Sequence, residues 1–212
     1  MLFSSGDRQP PTSDNWVNSS QWLVRPAKLE DMTFVADILA DSFHGREGMF
    51  GWAYPLLRLG IYEDICNRHR STSQHHVCLV AVEQITTAGK SSVRDIVGGT
   101  VEMAVRSHSS TYLYPHPNYL SRQYPYLSNL AVHSNCRRQG VAAQLLLNCE
   151  RIAKSWGYRD LYLHVMENNH PARQLYFKLG YKIYSIDASW STRLLGRPRQ
   201  LLLHKHLSAT TA

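Results

Sequence analysis

The feature that most limits what this chain can become is the stretch from residue 126 to residue 157. The run YLSNLAVH, residues 126 to 133, is apolar enough for a strand. SNCRRQG follows, and then Val141, Leu145, Leu146, Cys149, Ile152, Ala153 and Trp156 recur on one helical stripe that Gly157 ends. The start of such a helix leaves backbone N–H groups unpaired and carries a partial positive charge. In RRQGVA, residues 137 to 142, Gly140 lets a bound group come close to the backbone, Ala142 keeps the first helical turn uncrowded, and Arg137 and Arg138 add cationic donors. The turn can therefore hold a pyrophosphate. Taken alone, the same six residues also fit an ordinary loop with two solvated arginines; the flanking strand and helix favour the anion site.

The rest of the chain supplies the sheet that this unit needs. A first strand, WLVRP, starts at Trp22 and ends at Pro26, after which Phe34, Val35, Ile38, Leu39 and Phe43 recur at helical spacing. A second helix is expected over residues 52 to 69, burying Leu57, Ile61 and Ile65. Two strands, HHVCLVAVEQ from His75 and DIVGGTVEMAVR from Asp95, read as a hairpin about TTAGKSS, with Gly98 and Gly99 marking a bulge or the close approach of another backbone. Residues 107 to 125 hold three prolines and four tyrosines without a clear period, and loops of that kind are functional or disordered. After the central unit come the strand DLYLHVME, residues 160 to 167, and a helix within NNHPARQLYFKLGY, with Pro171 in its first turn and Gly180 at its cap. The strands YKIYSID and RQLLLHKHL complete the order β, α, α, β, β, β, α, β, α, β, β. No internal repeat is visible, and 212 residues fit one α/β domain with a mixed sheet. Residues 1–20, rich in Ser, Pro and Asn, read as a flexible tail before a domain over 21–208.

Composition removes several classes. The chain is 43% hydrophobic and 18% charged, and no apolar run approaches the about 20 residues that a membrane span needs, so no membrane partner is expected. The net charge of +7 fits a polyanionic cofactor or nucleic acid, but no helix carries the basic stripe that nucleic acid would need, and none is expected. Cys66, Cys78, Cys136 and Cys149 form no CxxC, which fits reduced thiols and no metal. The opening residues lack the apolar core of a secretion signal and the Arg-rich, acid-poor pattern of a plastid leader, which points to the cytoplasm, or to the plastid stroma in a eukaryote.

LAVHSNCRRQGVAAQLL resembles the acetyl-CoA-binding motif of the Gcn5-related N-acetyltransferases, and MENNHPARQLYFKLGY resembles that family's second motif, in the same order and spacing. The resemblance extends from about Trp22 to Leu207. It implies a mostly antiparallel mixed sheet of about seven strands with a splayed strand pair, flanked by about four helices. It further implies that a bulge opens the strand before the turn and that pantetheine adds itself to backbone groups of Leu130, Ala131 and Val132. Arg137, Arg138, Gln139, Gly140, Val141 and Ala142 would hold the pyrophosphate of acetyl-CoA or CoA. Asn169 would reach the pantetheine arm, although capping the helix that begins near Pro171 is an equal reading of Asn168 or Asn169.

Acetyl transfer to an amine needs a base, a stabilised oxyanion and an acid for the leaving thiolate. Tyr176 matches the second-motif Tyr that the resemblance assigns as that acid. In DLYLHVME, period-two alternation sets Tyr162, His164 and Met166 on one face, and His164 is the near-neutral base there; a histidine satisfied by a backbone group is the competing reading. Glu102 is a reserve base. Tyr112, Tyr114, Tyr119 and Tyr124, with HGREGMFGWAYP, are expected to flank the acceptor. The chain also resembles plastid and cyanobacterial members acting on protein N-termini and lysines, which implies a protein or peptide amine acceptor and a monomer or homodimer. A small-amine acetyltransferase acting on arylalkylamines or polyamines, and a non-catalytic acetyl-CoA-binding regulator, are the alternatives.

Overall fold

Seven strands form one sheet in the order β1-β2-β3-β4-β5-β7-β6 in the computed structural model, which describes residues 22–43, 54–70, 75–86, 93–107, 123–186 and 198–208. The strands are β1 Trp22–Pro26, β2 His76–Thr86, β3 Val93–Ser107, β4 Gln123–Val132, β5 Asp160–Met166, β6 Lys182–Ile186 and β7 Gln200–His206. The helices are α1 Met32–Phe43, α2 Tyr54–Arg70, α3 Val141–Ser155 and α4 His170–Lys178. All neighbouring strands run antiparallel except β4 and β5, which are parallel. The element order matches the one read from the sequence, and the expected tail over residues 1–20 lies outside the described residues.

The central strands are apolar on both faces because both faces are covered. On β2, Leu79 and Ala81 join the core built with α3, while Val80 and Val82 join the core built with α1 and α2. Two cores thus sit back to back across the sheet. Leu161, Leu163 and Val165 of β5 turn toward α3 and α4, as their alternation required, with Tyr162 and His164 on the opposite face. Charge pairs tie elements together on both sides of the sheet. Arg25 on β1 reaches Asp31 at 2.7 Å and Asp95 on β3 at 2.9 Å, and Lys205 on β7 holds both oxygens of the buried Glu150 on α3 at 2.7 Å. Burial alone would raise the Asp31 pKa, yet the Arg25 hydrogen bonds and the Lys28 N–H outweigh it and hold that carboxyl below its usual range.

One boundary differs from the sequence reading. The loop expected over 107 to 125 is shorter, because β4 begins at Gln123 and pairs with β3 from Ser107↔Gln123 onward. Pro125 disguised this, since a proline argues against an interior strand. It is tolerated because β4 has no pairing to β5 until Tyr126. Tyr124 is therefore a strand residue, set edge-on to Tyr162 with ring centroids 5.2 Å apart. Tyr112, Tyr114, Tyr119 and residues 44–53 lie outside the described residues.

Gly98 and Gly99 answer to both expected reasons. The β2–β3 register slips between Ala81 and Val82, leaving Gly98 as the extra residue, and a Cβ there would lie 2.2 Å from the ring of the buried Trp22. That ring is packed in the core and has nowhere to go. Gly98→Ala is expected to lower stability by about 1–3 kcal/mol, the usual range for overpacking a filled interior, as read from the midpoint of urea unfolding at unchanged slope.

Candidate active site

β4 and β5 pair only at Tyr126↔Tyr162 and Leu127↔Leu163 and then part. The cause is written in the register with β3. Thr100 faces Ala131 and Glu102 faces Ser128, so Val101 alone opposes two residues, Asn129 and Leu130. Asn129 absorbs the extra residue with a left-handed backbone, φ 54°. Asparagine tolerates that region better than other side chains that carry a Cβ. Past the bulge, the β5-facing edge of Leu130, Ala131 and Val132 has no strand partner among the described residues. An extended ligand can pair with such an edge as another strand would.

The end of this slot runs into the turn before α3. His133 accepts the Asn135 N–H at 3.3 Å, and Gln139 donates its side-chain amide to the Asn135 carbonyl at 3.0 Å, so the turn is braced from within. Arg138 and Gly140 are both left-handed, φ 65° and 82°. Backbone of alternating hand is one way a chain converges its N–H groups into an anion-binding concavity. Gly140 is the N-cap of α3 and supplies no side-chain cap, so the first N–H groups of Val141, Ala142 and Ala143 face outward at the positive end of the helix. A Cβ on Gly140 would meet nothing within 4 Å, so the turn opens onto space. Arg137 and Arg138 are exposed beside it, and the Arg137 Nε donates back to the Val132 carbonyl at 3.4 Å. That contact ties the turn to the end of the slot.

Two titratable side chains meet where the strands part. His164 is the first β5 residue beyond the last paired position, and its Nδ1 lies 2.7 Å from the Tyr126 hydroxyl. The histidine is exposed, and a phenol is one of its partners. Tyr126 was missed by sequence reasoning. Period-two alternation places it opposite Leu127 on its strand, but its meeting with His164 is set by the β4–β5 register, which neither strand carries alone. The Arg106 guanidinium covers the Tyr126 ring at 3.8 Å and fixes it from above.

Tyr176 lies on the other side of the sheet, buried on α4 and edge-on to Tyr181 at 5.8 Å. Burial, with a smaller push from Tyr126, raises its pKa to about 12. No described residue hydrogen-bonds its hydroxyl. Asn169 caps α4, its side-chain oxygen accepting the Ala172 N–H at 3.2 Å. Capping was one of its two expected roles, and it leaves the amide NH2 as the only part able to reach a ligand. Glu102 is buried between Arg68, His76 and Asn129.

The site thus consists of a sheet parted beside a helix start that has no side-chain cap, with the Tyr126–His164 pair at the fork. Comparison with known proteins names the class. The profile of the Acetyltransferase (GNAT) family matches residues 47–181. The chain is 33% identical over 197 residues to GCN5-related N-acetyltransferase 10, chloroplastic, of Arabidopsis thaliana, covering 91% of this chain and 75% of that one. It spans smaller shares, from 28% to 65%, of further chloroplastic relatives from the same plant. Among solved structures, Arabidopsis thaliana NAA60 in complex with acetyl-CoA superposes with a TM-score of 0.60 at 17% identity, over 89% of this chain and 99% of that one. Ribosomal-protein-alanine N-acetyltransferase from Brucella melitensis gives 0.56 at 18% identity, over 87% and 99%. The chain belongs to the acetyltransferase (GNAT) family.

The left-handed Gly140 can be tested without any ligand. Gly140→Ala adds a side chain that touches nothing, so its cost is backbone strain alone. About 1–2 kcal/mol of stability should be lost by denaturant titration, with an unchanged circular dichroism spectrum.

Proposed function

We propose that this chain, over residues 21–208, is an acetyl-CoA-dependent N-acetyltransferase that acetylates protein amines by direct attack in a ternary complex. The observation that carries the reading is the parted β4–β5 edge running into the uncapped start of α3. Pantetheine would pair with the backbone of Leu130, Ala131 and Val132. The pyrophosphate would rest on the N–H groups of residues 138 to 142, with Arg137 and Arg138 as cationic donors. The empty space in front of Gly140 fits a phosphate held against the main chain. Donation from the Asn169 amide to the pantetheine arm is compatible with its cap.

His164 takes the proton of the attacking amine, directly or through water. The Tyr126 hydroxyl on Nδ1 orients the ring. Tyr176 serves the leaving sulfur, and its pKa near 12 sets how. Full proton transfer to a thiolate whose acid has a pKa of about 8.5 would be uphill by about 5 kcal/mol. Tyr176 therefore stays protonated and stabilises the developing thiolate by a hydrogen bond, and the released thiolate takes its proton from solvent while the His164 imidazolium returns its own to water.

The acceptor follows from the weakness of the base. An α-amine with a pKa near 8 is already partly neutral at pH 7, whereas a lysine near 10.4 is neutral about one part in a thousand, a handicap of roughly 4 kcal/mol. A single histidine handles the first more readily, and N-termini are proposed as the main acceptor with lysines second. The likeness in fold to the NAA60 and ribosomal-protein-alanine acetyltransferase structures is consistent with that ranking. Chloroplastic relatives favour the plastid stroma over the cytoplasm as the place of action. No helix among the described residues is long and apolar enough to cross a membrane.

The direct test is acetyl-CoA with a mixed peptide library read by mass spectrometry. N-terminal products in excess over lysine products support the reading, lysine products alone reverse the acceptor, and no peptide product at all removes it. Within the mechanism, Tyr176→Phe should lower kcat by about 10²-fold while leaving CoA affinity by calorimetry nearly unchanged. A kcat equal to wild type would exclude Tyr176.

A further inference from the structure

Glu102 does more than balance charge in the α1/α2 face. Its carboxylate gathers three donors from three elements: Arg68 of α2 at 2.8 Å, His76 of β2 at 2.7 Å and the side-chain amide of Asn129 of β4 at 2.7 Å. Burial would push its pKa up, but the His76 hydrogen bond and the Arg68 charge outweigh that and hold it ionised, below the usual carboxylate range. A carboxylate so held is a poor proton acceptor for an amine, which removes the reason to keep Glu102 as reserve base. Being ionised, it can only accept, so the His76 Nε2 must carry the proton it shares.

The Asn129 that it grips is the residue whose left-handed backbone makes the bulge. Left-handed backbone is strained for any residue with a Cβ and persists where surroundings over-determine it. We infer that Glu102, fixed by Arg68 and His76, is a positioning residue for the acyl-donor slot: it holds the Asn129 side chain, and through it the bulge that parts β4 from β5. This inference rests on the proposed function for what the slot binds. The slot would then be set by side-chain chemistry on the face opposite α3, in four elements distant in sequence. Arg68 also pairs with Asp64 one turn back on α2, which orients its guanidinium toward β3.

The consequence is a specific non-additivity. Glycine adopts left-handed backbone freely, so once residue 129 is glycine the grip has nothing left to hold. CoA dissociation constants are measured by calorimetry on the full chain for wild type, Glu102→Gln, Asn129→Gly and the double variant, with thermal unfolding of each as a control. Glu102→Gln is expected to weaken CoA binding about 10-fold in the wild-type background and less than about threefold in the Asn129→Gly background. The same factor in both backgrounds, or no loss in the first, overturns the inference. Should Glu102→Gln fail to fold, His76→Phe replaces it in the same cycle, with the same pattern expected at smaller size and the same results overturning it. Wild-type protein that binds no CoA would overturn the proposed function as well, whereas wild-type binding with an additive cycle overturns the positioning role alone.

Discussion

The structure turns on one left-handed residue. Asn129 takes up the extra residue of β4, so that β4 keeps its ladder with β3 and leaves β5 after two paired positions. An open edge inside a sheet is costly unless something else secures the strands on either side. Here β5 is secured by β7, with which all its residues from Asp160 to Met166 pair. β4 is secured by β3 on one side, and the helix it feeds is pinned by Gly99. A Cβ there would lie 2.8 Å from Val141 and 3.0 Å from the Ala131 carbonyl. The first residue of α3 and the last turn of the open edge are thus packed on one glycine. The open edge and the start of α3 are thereby packed directly against each other.

Much of this was legible in the sequence because it is local. The strand, turn and helix from residue 126 to residue 157 announce themselves by alternation, a glycine and a helical stripe, and the left-handed Gly140, Gly157 and Gly180 fall where turns and caps require them. The caps of α4 and the two faces of β5 follow from rules that span only a few residues. What escaped was non-local. Tyr126 meets His164 across 38 positions, and Glu102 meets Asn129 across 27. No period in either strand reveals such pairs, because they depend on register between strands. Pro125 misled for the same reason: its tolerance inside β4 depends on where β5 begins to pair, which local sequence does not encode.

The electrostatics of the two faces differ in a way that follows from the parting. The α1/α2 face carries the buried carboxylate Glu102 with its Arg68, His76 and Asn129 donors, and the same side of the sheet carries the exposed His164 and the edge-on pair Tyr124 and Tyr162. On the α3/α4 face the Tyr176 hydroxyl is buried with no cation credited with offsetting its desolvation, which is why burial drives its pKa up to about 12 while Glu102 stays ionised. Desolvation acts on both groups, and only Glu102 has donors enough to offset it.

In a closed sheet these two faces would be screened from each other by the backbone layer, and groups on opposite sides could not act on one atom. Here β4 and β5 part beyond Leu127 and Leu163, so that layer is interrupted. Geometry of this kind suits a displacement at a carbonyl carbon. In the proposed reaction the amine approaches from the α1/α2 face, where His164 can receive its proton, and the sulfur departs toward Tyr176 on the far side. The base and the acid then need not compete for space or quench each other by direct proton exchange. A thioester lying in the slot would be reached from both faces at once, which no position on an unbroken sheet allows.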